Sequence, residues 1–93
     1  MESTKQFLER LRARLGGASE CSDYRLAKVL EVSHVTIHGY LKKGRSMDDK
    51  VALNLAKQLN IEPAYVVACC HAERSTSAES LKLWTEIAAR FAA

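Results

Sequence analysis

Ala27-Lys28-Val29-Leu30-Glu31-Val32-Ser33-His34-Val35-Thr36-Ile37 decides the fold, because its small, turn-forming and branched residues fall where two short helices need them to cross at a tight corner. Ala27 falls where the helices come closest, and a larger side chain there would push them apart. Leu26, Leu30, Val32 and Ile37 are spaced so that the first helix, the turn and the second helix each send an apolar group into one core. Ser33 offers the oxygen that a helix start needs for an orphan backbone N–H. Ser22 does the same for the first helix, and Asp23 adds a charge suited to a helix N-terminus. The pattern is that of a helix-turn-helix.

In the second helix of the corner, Ile37 with Tyr40 or Leu41 is expected to be buried, which leaves His34, Val35, Thr36, His38 and Lys42 facing outward. A helix presented in this way fits the DNA major groove, about 12 Å wide, with its N-terminal residues nearest the base edges. Base reading is therefore expected from His34, Val35, Thr36 and His38. A neutral imidazole can donate to guanine N7 or O6, threonine can bond either way, and valine can touch a thymine methyl. Lys42, Lys43 and Arg45 stand at the far end, where phosphates are the natural partners.

From Ser22 through Tyr40 and on to Lys42, Lys43 and Gly44, the chain resembles the Cro and cI-type repressors, the Xre-like helix-turn-helix proteins of phages. The resemblance implies an all-α, lambda-repressor-like bundle of about five helices with the corner at helices two and three. It also implies that Ser22 and the backbone beside it clamp a phosphate, and it matches His34, Val35 and His38 with base-reading positions of relatives. The chain departs from the family pattern as well. Glu31 stands at the turn position that glycine often fills, so a positive φ there would carry a steric cost. Asp23 stands where glutamine is common, and a carboxylate repels phosphate. Gly44 comes one residue late, so the second helix is expected to run on by part of a turn.

Ninety-three residues with 47% hydrophobic content suffice for one modest core, and a helical bundle is the simplest way to bury it. The net charge of +3 is unevenly spread. Arg25, Lys28, Lys42, Lys43 and Arg45 face only Asp23 and Glu31 between residues 22 and 46, and Lys5, Arg10, Arg12 and Arg14 add to the basic side. Such a split favours a polyanion footprint on one face. No apolar run reaches the ~18 residues of a membrane span, and Met1-Glu2-Ser3-Thr4-Lys5 lacks the apolar core of a secretion signal. A cytoplasmic location is expected, and three cysteines, an odd number, fit a reducing compartment.

Beyond the corner, helices are expected at Thr4 to Leu15, stopped by Gly16-Gly17, and at Met47 to Asn60, with a stripe of Val51, Leu55 and Leu59. Glu62-Pro63 opens another, with Tyr65, Val66, Cys69 and Cys70 on its inner side. The chain thus divides into a DNA-binding part, residues 1–76, and a C-terminal amphipathic helix within 77–93. In that last helix Leu81, Trp84, Ile87, Ala88 and Phe91 form one apolar edge, which either folds back on its own core or meets a second subunit. Leu81, Trp84, Ile87 and Phe91 are the expected dimer interface, since Trp and Phe are frequent interface anchors.

Catalytic and metal sites are not expected. Cys69, Cys70 and His71 are adjacent in a helix, so their side chains fan out by about 100° each and cannot converge on one ion. His34 and His38 have the i, i+4 spacing but lack the glutamate and further ligands of a zinc helix. A nucleophilic cysteine needs a base held beside it, and none is visible. The expected partners are double-stranded DNA and a second copy of the chain, with no cofactor, membrane or small-molecule substrate. The alternative is a protein-interaction module, antitoxin-like or a replication accessory, that keeps the bundle without reading DNA; Asp23, Glu31 and the modest net charge favour it.

Overall fold

A computed structural model describes residues 1–92 of the chain; Ala93, the last residue of the expected C-terminal segment, lies outside the described residues. The structure is an all-α bundle of six helices with no strand among the described residues. They are α1 (Thr4–Arg14), α2 (Asp23–Leu30), α3 (His34–Lys42), α4 (Asp49–Leu59), α5 (Pro63–Arg74) and α6 (Ala78–Phe91). Among them no helix is long and apolar enough to cross a membrane.

Local chemistry sets most of the ends. Ser22, Ser33 and Ser77 cap α2, α3 and α6, each accepting from the backbone N–H three residues on. Ser3 does the same for α1 and forms a reciprocal pair with Gln6. Pro63 opens α5, where its missing N–H is harmless. One start differs from the sequence expectation. Met47 lies outside α4 and is buried, because Asp48 caps the helix through the Val51 N–H at 2.9 Å.

Two helices stop by the same device. Glu31 (φ 59°) and Asn60 (φ 55°) adopt the left-handed conformation, and the next residue's N–H turns back, Val32 to Ala27 O and Ile61 to Ala56 O, both at 3.0 Å. In each case the following branched side chain, Val32 or Ile61, packs against the core. Glu31 therefore does take the positive φ that glycine would accept more readily.

Phe7, Leu8, Leu11, Leu26, Leu30, Ile37, Met47, Leu55 and Val66 form the centre of a single core. The corner helices α2 and α3 pack together and onto α1, α4 packs on α1, α5 on α4, and α6 chiefly along α5. The last helix joins the same core through Ala88, with Trp84 and Ile87 half-buried against it. It is also fastened by an aromatic contact to α5. Trp84 stacks on His71 with ring centroids 4.3 Å apart, and His71 Nε2 bonds Asp49 Oδ1 at 2.9 Å.

One polar hub ties the first and fifth helices to the linker that follows the corner. The buried Thr4 hydroxyl donates to Glu73 Oε1 at 2.6 Å and accepts from the Met47 N–H at 3.0 Å. Arg74 donates to the Met47 carbonyl, so both backbone groups of Met47 are satisfied. Replacing the hydroxyl with a methyl leaves a buried N–H orphaned. Thr4→Val is expected to lose about 1–3 kcal/mol of stability in a urea titration, against under about 0.5 kcal/mol for a neutral exposed substitution such as Lys57→Gln.

Candidate nucleic-acid interface

The start of α3 is set by Ser33, whose hydroxyl accepts from the Thr36 N–H at 3.1 Å and lies 3.0 Å from the Thr36 hydroxyl. Ile37 and Tyr40 then turn into the core, and the opposite side of the helix meets solvent. His34, Val35 and His38 are on that exposed side, as expected, and Val35 is 62% exposed. Thr36 is not fully with them. It is half-buried and its hydroxyl is engaged with Ser33, so its first role is at the helix start.

An aromatic neighbour completes this face. Tyr24, one residue into α2, is 67% exposed, and its ring lies against that of His34 with centroids 4.7 Å apart. Asp23, Tyr24, His34, Val35 and His38 line one shallow groove. Sequence spacing gave no sign of Tyr24, because the contact joins the starts of two helices that only the corner brings together.

The cations divide into two groups. Arg12 donates to Asp23 Oδ1 at 2.6 Å and to the Cys21 carbonyl, Arg25 donates to the carbonyls of Leu15 and Glu20 at 3.0 and 2.9 Å, and Arg10 pairs with Glu2. Arg12 and Arg25 thereby hold the first loop and the start of α2, and all three arginines are removed from the basic footprint expected from composition. Lys28, Lys42, Lys43 and Arg45 are exposed and form no ion pair among the described residues. The Arg12 contact also neutralises Asp23, so the carboxylate at the head of α2 is a weaker obstacle to an anion than its sequence position implies.

Arg45 is held in place by a glycine. Gly39 sits in α3, and a Cβ there would lie 3.0 Å from Arg45 Cδ, so the arginine stem rests directly on the helix. The Arg45 N–H also donates to the Gly39 carbonyl at 3.2 Å. Gly44, at φ 65°, makes the turn that brings the chain back, and α3 itself ends at Lys42 rather than running on. At the other end of the corner the Ser22 hydroxyl accepts from Arg25 N–H, while the N–H groups of Asp23 and Tyr24 have no partner among the described residues. Such free N–H groups at a helix start favour an anion.

Comparison with protein-family models, with curated proteins and with solved structures finds no match to this chain. What the face can do is therefore read from its own residues. It joins imidazoles, a valine and a phenol ring at the starts of α2 and α3 to unpaired cations at the end of α3.

Tyr40, Cys69 and Cys70 are turned inward. Burial, and next the Asp48 charge, raise the Tyr40 phenol above its usual value. Burial raises the Cys69 thiol too, and pushes Cys70 up to about 12 with a further contribution from the Glu73 charge. Thiols so buried and so little ionised are poor nucleophiles. Cys21, Cys69 and Cys70 are all free and buried, so a thiol-specific disulfide reagent at pH 8 is expected to label none of them in the native protein and all after denaturation.

Proposed function

We propose that the chain is a sequence-specific DNA-binding transcription regulator, a repressor that acts as a homodimer on an inverted-repeat operator. The observation that carries this reading is the exposed side of α3, with His34, Val35 and His38 at its start and unpaired Lys42, Lys43 and Arg45 at its end. That order matches the needs of a helix in the major groove, base-reading groups first and phosphate-binding cations behind. The unpartnered N–H groups at the head of α2 offer a second phosphate contact beside Ser22. The resemblance of residues 22–44 to Cro and cI-type repressors supports the same reading and suggests a phage or mobile-element setting.

A single bundle of this size covers limited DNA, so pairing of two copies supplies both affinity and specificity. Half-sites about one helical turn apart are the simplest arrangement, and repression follows from occupying an overlapping promoter. The protein-interaction alternative rests on Asp23, Glu31 and the modest net charge. Arg12 engages the first, and the second has a backbone role at the corner.

Selection of bound duplexes from a random pool, followed by gel shifts at two salt concentrations, tests the proposal. A preferred palindromic sequence and salt-sensitive binding are expected; a folded protein that selects no sequence overturns it. On the selected site, His34→Ala or His38→Ala is expected to lose about 1–3 kcal/mol, with little change on random DNA. Lys42→Ala, Lys43→Ala and Arg45→Ala should each weaken binding to all sequences and flatten the dependence of log K on log salt by about one unit.

A further inference from the structure

α6 buries one strip of its surface against the bundle and leaves the opposite strip bare. Ala88 is buried, Trp84 stacks on His71 and Ile87 is half-buried, which fixes the inner side. Leu81, Trp84, Ile87 and Phe91, the expected dimer residues, thus divide: two are used by the chain's own core, and Leu81 and Phe91, toward the two ends of the helix, remain 45% exposed. On the outer side Glu79, Lys82, Glu86 and Arg90 follow one another at spacings of three and four and so share one strip, with Leu83 among them. None of these charges makes an ion pair among the described residues, and Leu83 is 53% exposed.

Along the strip the signs alternate, negative, positive, negative, positive. Turned end for end about its middle, near Trp84 and Thr85, the strip is complementary to itself. Glu79 of one copy then meets Arg90 of the other, and Lys82 meets Glu86, each contact occurring twice by symmetry. The same operation sets the exposed Leu83 of one copy beside Leu83 of the other, within about 5 Å along the axis at a rise of ~1.5 Å per residue. A parallel, in-register pairing would instead set every charge against its like.

We propose that this outer strip of α6 is the surface through which two copies of the chain associate, as a symmetric antiparallel helix pair. It gives the homodimer of the proposed function its contact surface and rests on that reading for its use. Its measurement needs no DNA, so a failure of pairing and a failure of operator binding are separate results. The pairing uses no residue of the corner and leaves His34, Val35 and His38 uncommitted.

Sedimentation velocity of the full chain across micromolar concentrations is expected to show a monomer–dimer equilibrium. Lys82→Glu and Glu86→Lys each place like charges at both symmetric contacts and should raise the dissociation constant ~10-fold or more, with helix content by circular dichroism unchanged. Mixed in equal amounts, the two variants are expected to regain association, because every contact in a mixed dimer then joins opposite charges. Regained association in the mixture supports the pairing. A monomeric wild type, an unchanged dissociation constant in either variant, or a mixture that stays monomeric overturns it.

Discussion

The exposed side of α3 depends on one backbone constraint, the left-handed turn at Glu31. With φ at 59°, this residue ends α2, returns the Val32 N–H to Ala27 and aims the chain so that Ser33 can start the next helix at once. A non-glycine residue in that conformation costs about 1–2 kcal/mol. Burial of Leu30 and Ile37 on either side of the turn, with Val32 packed against the same core, offsets it. Because Ile37 must enter the core, His34 and His38 must leave it.

A second layer of support comes from arginine. Arg12 and Arg25 bind carbonyls and a carboxylate around the first loop, and Arg74 binds the Met47 carbonyl, so these planar forks fix backbone rather than await a ligand. The Thr4 and Arg74 contacts at Met47 secure the linker just after Arg45, and Gly39 receives the stem of Arg45 itself. Arg45 is thus held from both sides. Net charge alone would have counted all these groups as equivalent.

The elements were legible in the sequence because their signals are local. Ser22, Ser33, Asn60 and Pro63 mark helix ends through bonds that span a few residues, and the stripe of Val51, Leu55 and Leu59 is buried as its spacing requires. Contacts between distant segments were not legible. Thr4 with Glu73 and Met47, Arg12 with Asp23, and Tyr24 with His34 each need the packed bundle to bring them together. Thr36 shows the limit within a single turn: its place on the helix suggested an outward hydroxyl, but Ser33 offers a nearer partner. In α6 the periodicity identified an apolar edge without saying what covers it, and Trp84 goes to His71 of the same chain.

The central claim is that α3 and the residues at its two ends form the surface that meets DNA. Amide NMR of the folded protein, titrated with a selected duplex, measures this residue by residue. Shifts should concentrate at Ser22–Tyr24, Ser33–His38 and Lys42–Arg45, with α5 unmoved. Shifts confined to α5 and α6, or none at low salt, would contradict it.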